Sequence, residues 1–265
     1  MKTQKASLVR SILLIFTFAL SACGALAPAP TSTPASTNTP EPTATITLTP
    51  TNTPRPSPTP RPTKTPNLAA TERMEEFNSE AQSYFEKGYL VTDDGAVKEI
   101  DDFSYDWAQL NWYNWWPLSE NASDFYISAH VKWSSAYRNA NVSGCGFIFA
   151  IQENGDHYAV FLDRSQILFL NADQTSGYSK AVGLTRGTGR VKFDNPADTP
   201  QEADFTVIVN GTYTYVLVDG EVIGEYTLAK SKILRGDVGL SLLSGTNKDY
   251  GTRCEMTNIR LWTPN

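Results

Sequence analysis

The sequence is short of the residues around which many enzymes and metalloproteins are built. It has two histidines, His130 and His157, and three cysteines, Cys23, Cys145 and Cys254. No CxxC pair or Cys/His cluster occurs, and the two histidines lack zinc-ligand spacing, which excludes a zinc site of ordinary design. No glycine-rich loop opens a helix, so the usual phosphate cradle of nucleotide-binding proteins is missing. No Ser/His/Asp arrangement is recognisable. His157, preceded by Asp156, starts a strand after a turn and reads as a turn-exposed or hydrogen-bonded histidine rather than a general base. Proline is scarce in the second part of the chain: all but four of 16, Pro117, Pro196, Pro200 and Pro264, lie between Pro28 and Pro66. No alternation of strands with helices is visible, which argues against a parallel sheet.

Positive charge is also scarce where it would matter. The chain has 22 basic and 28 acidic residues. Before Leu68 stand six of the basic residues (Lys2, Lys5, Arg10, Arg55, Arg61, Lys64) and one acid, Glu41. The rest therefore holds 16 basic and 27 acidic residues, a formal charge of −11. Such a surface suits neither nucleic acid nor anionic lipid, which select basic proteins. It keeps an exported domain soluble.

What is present begins with an address. Lys2, Lys5 and Arg10 form a basic start, and residues 12–20 form an apolar run too short for the roughly 20 residues that span a bilayer. Leu20-Ser21-Ala22-Cys23 comes next and resembles a bacterial lipobox, in which the cysteine thiol takes a diacylglycerol and the peptide is cut before it. Residues 1–22 are then a lipoprotein signal peptide, Cys23 is the acylated residue, and the mature protein is extracytoplasmic and membrane-anchored. With Cys23 consumed by lipid, Cys145 and Cys254 are left to pair as a disulfide. Residues 23–67 continue as a Thr/Pro-rich segment with almost no core-forming side chains, which cannot offset the entropy of ordering. It is expected to be a disordered, polyproline-like stalk, on the order of 130 Å when fully extended.

From Leu68 the composition becomes that of a folded domain. Residues 68–88 read as one helix, with Met74, Phe77, Ala81, Tyr84 and Phe85 on an apolar stripe and Gly88 as its C-cap, packed on the edge of a β domain. Residues 89–265 read as the strands and tight turns of that domain. Strands are expected at 146–151, 157–162, 166–170, 205–209, 213–218, 222–228, 238–243 and 254–262. Asn210-Gly211 and Asp219-Gly220 suit type I′ hairpin turns. The fold class expected is all-β, a two-sheet antiparallel β-sandwich or jelly roll.

Four stretches resemble the concanavalin A-like lectin/glucanase superfamily: Asp101-Asp102-Phe103-Ser104 ahead of a tryptophan, Gly144-Cys145-Gly146-Phe147-Ile148-Phe149, the hairpin from Tyr213 to Val222, and the final strand Met256-Thr257-Asn258-Ile259-Arg260. The resemblance implies a jelly-roll sandwich over residues 89–263. It does not choose among lectins, hydrolases and inert spacers, since the fold hosts all three. Glucanases of the superfamily carry their carboxylates on one strand as Glu-x-Asp-x-x-Glu. Glu99-Ile100-Asp101-Asp102-Phe103-Ser104 imitates its start, but Ser104 replaces the second glutamate, and the stretch reads as a loop. No catalytic residue is therefore assigned.

The remaining signal is aromatic. Residues 106–117 hold four of the six tryptophans, with Gln109, Asn111 and Asn114 between them. Sugar rings present apolar CH faces that such platforms bind. Trp107 and Trp112 are expected to fill the core or cover its edge. Trp115 and Trp116 are adjacent, so in a strand one faces in and the other out. The candidate ligand-binding residues are Trp112, Trp115, Trp116, Tyr137, Arg138 and Tyr178. No cofactor is assigned, although Asp101, Asp102 and Asp106, or Asn154 and Asp156, could ligate calcium. Three readings compete: a non-catalytic surface module for neutral polysaccharide or cell-wall glycan, a structural or protein-interaction domain without a sugar site, and a glycan-active hydrolase or lyase. The sequence does not give the oligomeric state.

Overall fold

A computed structural model describes residues 68–137, 142–193, 199–230, 232 and 234–265, with side chains from Arg73 onward. The signal-like residues 1–22, Cys23 with the rest of 23–67, and Arg138 lie outside the described residues. All described residues belong to one structural unit.

Among them, fourteen strands form two antiparallel sheets. Sheet A holds β1 (Gly95–Ile100), β2 (Phe103–Trp107), β4 (Phe125–Ser135), β9 (Leu184–Gly187), β10 (Gln201–Asn210), β11 (Tyr213–Val218), β12 (Glu221–Thr227) and β14 (Thr252–Pro264). Its order is β1, β14, β4, β10, β11, β12, β9, and β2 pairs with the first part of β14, in line with β1. Sheet B holds β3 (Trp112–Ala122), β5 (Gly144–Ile151), β6 (His157–Leu162), β7 (Ile167–Asp173), β8 (Tyr178–Ala181) and β13 (Gly236–Ser244), in the order β3, β13, β5, β6, β7, β8. This is the two-sheet antiparallel sandwich expected, of jelly-roll kind.

Period-two alternation builds its core. Phe125, Ile127, Ala129, Val131 and Trp133 of β4, and Ala203, Phe205, Val207 and Val209 of β10, face inward from sheet A. Phe147 and Phe149 of β5, Val160 of β6 and Leu240 and Leu242 of β13 meet them from sheet B. Phe147 stacks on Phe205 across the gap at 5.2 Å. The expected disulfide is present there: Cys145 of β5 and Cys254 of β14, both fully buried, join the two sheets with their Cα atoms 5.5 Å apart.

The turns obey their residues, with one correction. Val218 pairs with Glu221, so Asp219 and Gly220 are the loop, with φ of 51° and 78°, as a type I′ turn requires. Asn210, however, pairs with Tyr213. The loop there is Gly211-Thr212, with positive φ on its first residue only, the sign pattern of type II′ rather than I′.

The helix α1 (Leu68–Glu86) ends where expected. Gly88 takes φ 75°, and its amide and that of Tyr89 return to the carbonyls of Phe85 and Tyr84, a Schellman cap. Its buried stripe is narrower than predicted: Phe77, Ala81 and Tyr84 are buried, whereas Met74 and Phe85 are exposed. A stripe at i, i+4, i+7 is what a flat sheet can cover, and Met74 and Phe85 both fall beyond its Ala81 side. Nor does the helix sit on the sandwich edge. It lies on the outer face of sheet A, against Tyr126, Ile208, Leu217 and Trp262. These four residues give sheet A apolar side chains on both faces, which no simple alternation predicts.

The stretch imitating the glucanase motif is not one loop. Glu99 and Ile100 end β1, Asp101-Asp102 form the link, and Phe103-Ser104 begin β2. Glu99 is exposed and meets Arg73 of α1 at 3.2 Å, so the stretch lies at the rim of sheet A, under the helix.

Candidate functional site

The outer face of sheet B carries a second, smaller apolar layer of Ala159, Phe161 and Leu243, flanked by Tyr113, Leu168 and Leu170. Tyr113 stands at its centre. Its ring lies 5.2 Å from Phe161, 5.8 Å from Trp115 and 6.3 Å from Trp112. The strand β3 puts Tyr113 and Trp115 on the same face by alternation. Trp116 consequently points the other way, against Phe103 at 4.9 Å and Tyr105 at 4.5 Å, at the margin of the main core. One tryptophan of the adjacent pair thus faces out and one in.

Trp112, expected to fill the core or cover its edge, is 58% exposed. It is the first residue of edge strand β3, paired with Ser244 at the end of β13. Together with Tyr113, Trp115, Tyr178 and the β7–β8 turn it lines a cleft of about 240 Å³. Tyr178, on edge strand β8, is 73% exposed. The polar groups of this cleft are Asp173, Gln174 and Ser179, not the amides predicted. Asn114 is used locally: its side chain accepts from the Trp115 amide and its carbonyl from the Ser241 hydroxyl. Gln109 and Asn111 do not line the cleft.

Of the six candidates, the fold therefore brings Trp112, Trp115 and Tyr178 together. Trp116 is turned away and Tyr137 lies elsewhere, with the Lys248 ammonium 5.3 Å from its ring centre.

His157, at the end of its turn, is the bracket behind the cleft. Its Nδ1 lies 2.7 Å from the Gly155 carbonyl, which can only accept, so Nδ1 carries the hydrogen. Nε2, 2.7 Å from the Tyr113 oxygen, then accepts from the phenol. Burial depresses the His157 pKa below its ordinary value, against the opposing pull of the Gly155 carbonyl and Asp156. Burial raises that of Tyr113. The pair is a neutral, hydrogen-bonded unit, and Trp115 packs on the imidazole at 5.1 Å.

Beyond His157 the face turns into a larger polar cleft of about 800 Å³ at one end of the sandwich, lined by the β5–β6 turn, the ends of β3 and β7 and the start of β13. Lys232 lines this end cleft and reaches Asp173, which lines the aromatic one. Its ammonium is 3.2 Å from Asp156 and 3.5 Å from Asp173. The Asp156 carboxyl also accepts from the Gln174 amide at 2.9 Å, and this bond above all holds it below the usual carboxylate range.

The calcium sets do not assemble. Asp106 is gripped by Arg253 through two contacts of 2.8 Å, and Asn154 accepts from the Asp156 amide. Among the described residues no group of three or more His, Cys, Asp or Glu side chains could hold a metal ion.

No protein-family profile matches the chain, and no curated protein matches it in sequence. Solved structures resemble it at low identity. Carbohydrate-binding module CBM66 from Bacillus subtilis is 12% identical, with 64% of this chain covering 98% of that one and a TM-score of 0.43. Sheep galectin-11 is 11% identical, with 58% of this chain covering 99% of that one and a TM-score of 0.35. A fructosyltransferase from A. japonicus is 14% identical, with a TM-score of 0.40; 66% of this chain covers 27% of it, so the likeness spans about a quarter of that enzyme. Likeness at this level says nothing of ligand. By its own sheet order and register, the chain is an all-β protein with the two-sheet antiparallel sandwich that its resemblance to the concanavalin A-like superfamily implied.

Proposed function

We propose that this protein is a non-catalytic, lipid-anchored surface protein whose sandwich binds neutral polysaccharide or cell-wall glycan through the aromatic cleft on the outer face of sheet B. The observation that carries the reading is the convergence of Trp112, Trp115 and Tyr178 from two edge strands around Tyr113, whose orientation His157 fixes. Exposed indole and phenol faces beside Asp173, Gln174 and Ser179 suit a ring with one apolar and one polar side. A cleft of about 240 Å³ takes a single sugar ring, so affinity per copy is weak, with a Kd near the millimolar range, about −4 kcal/mol. Many copies on one surface compensate through avidity.

Binding without catalysis is favoured by the state of the nearest carboxylates. Glycoside hydrolysis needs one protonated acid and one base facing the scissile bond. Asp156 and Asp173 share the Lys232 cation, and Asp156 is held ionised, so it has no proton to donate at neutral pH.

Affinity electrophoresis or calorimetry of the protein against a panel of neutral polysaccharides is the test. Trp112→Ala and Tyr178→Ala should each reduce binding about tenfold while leaving thermal unfolding nearly unchanged, because both side chains are mostly exposed. Retention of full affinity by both variants would remove the cleft from the binding site.

A further inference from the structure

The polar cleft at the end of the sandwich is more than three times the size of the aromatic one, at about 800 Å³ against 240 Å³. Part of its lining is uncommitted among the described residues. Asn121 at the end of β3, Asn171 on β7 and Asp237 on β13 line it, and none of the three makes a side-chain hydrogen bond to another described residue. Nearby Asp156 and Asn154, by contrast, are committed to the turn that frames it. Uncommitted amide and carboxylate groups converging on one hollow are what hydroxyl-rich ligands need, since each can bridge neighbouring hydroxyls.

The two clefts are also neighbours. His157 lines the end cleft, while its Nε2 accepts from Tyr113, which lines the aromatic one. Lys232 lines the end cleft and holds Asp173 of the aromatic cleft. One layer of side chains separates them.

Resting on the carbohydrate reading above, we infer that the two clefts are consecutive subsites for one oligosaccharide of at least three rings: one ring stacks on Trp112 and Tyr178, and the next units pass Lys232 into the end cleft. Lys232 donates to a ring or glycosidic oxygen as the chain passes over it, and Asn121, Asn171 and Asp237 hydrogen-bond the hydroxyls beyond. The lining carries Glu153, Asp156 and Asp237 against Lys232 and Arg235, so uronic and sulfated sugars are repelled and uncharged hexose chains are accepted.

The consequence is a length threshold. A ligand reaching only one cleft binds weakly. One reaching both gains two or three hydrogen bonds and binds about tenfold tighter, and further units, having nothing to touch, add little. Calorimetry of the full-length protein with cello- and laminari-oligosaccharides of two to six units reads this directly. Affinity should step up between two and four units and then level off. Asn121→Ala and Asp237→Asn should abolish the step without changing the disaccharide affinity, whereas Trp112→Ala should weaken every length. An affinity independent of length, still sensitive to Trp112→Ala, overturns the two-subsite inference and leaves the aromatic site standing. No binding of any oligosaccharide in either series defeats both.

Discussion

Tyr113 and His157 hold each other in one protonation state, and the arrangement has a pH signature. The imidazole is buried and neutral, donating to the Gly155 carbonyl and accepting from the phenol. Its pKa in the folded protein lies below the roughly 6.5 of an unfolded histidine. Below that value the unfolded chain takes up a proton that the folded one resists. The stability His157 contributes is therefore complete above about pH 6.5 and is lost as pH falls from there toward the folded pKa. Buried Asp163 works in the opposite sense, its pKa raised by burial, so its contribution declines as pH rises above about 4. Comparing variants isolates the histidine. His157→Asn keeps a donor for Gly155 but cannot titrate, and in urea unfolding between pH 7 and 5 it should show less acid destabilisation than the parent; an unchanged slope would clear His157 of the effect. At this scale the sequence was half legible. Trp112, Trp115 and Tyr178 stand out by type, and Asp156-His157 by its turn. That Tyr113 joins them, and that Asn114 does not, depends on which face of β3 meets β6 and β7, and pairing register across sheet B decides that.

Elements show the same division. Hairpins announced by Asp-Gly or by a run such as His157–Leu162 were readable from spacing, as was the helix with its glycine cap. The strand β4 was missed: Phe125, Ile127, Ala129, Val131 and Trp133 alternate strictly, but Tyr126 fills one of the gaps and blurs the pattern. The edge strands β8 and β9 were not readable, because all eight of their residues are exposed and carry no burial signal. The seat of α1 was hidden for a related reason: apolar side chains on the outer face of sheet A look in sequence like core. Arg260 of β14 fastens the helix there, 3.3 Å from the Glu80 carboxylate and 4.8 Å from the Phe77 ring. Removing it strands a mostly covered Glu80 and uncovers Phe77. Arg260→Ala should cost about 1–3 kcal/mol in denaturant unfolding, and Glu80→Gln should recover part of that cost in the double variant. Strict additivity of the two would show that the pair is not coupled.

For the whole molecule, the charge of −11 from Leu68 onward, the fully buried disulfide and the ordered signal ending at Cys23 point to one compartment. A cystine linking two sheets persists in an oxidising environment, and an acidic domain stays soluble beside an anionic membrane. The sequence alone carries this proposal, for Cys23 lies outside the described residues. It makes one sharp expectation: mass spectrometry of natively expressed protein should find Cys23 as the N-terminus, carrying diacylglycerol. An N-terminal Cys23 with a free thiol would end the lipid-anchor proposal, and with it the surface-display part of the function.

The position of β14 has a consequence in time. This final strand pairs with β1 and β2 on one side and β4 on the other, and it carries Cys254, the partner that Cys145 meets only 109 residues later. A chain made N-terminus first thus presents β4 with an empty flank until Thr252–Pro264 arrive. Early hairpins such as β5–β6 and β10–β11 can close as they emerge, but neither sheet can be cross-linked to the other before the end. Sheet A therefore sets only once β14 has been made, so a chain cut short before Thr252 would be left with a half-built sheet and an unpaired thiol.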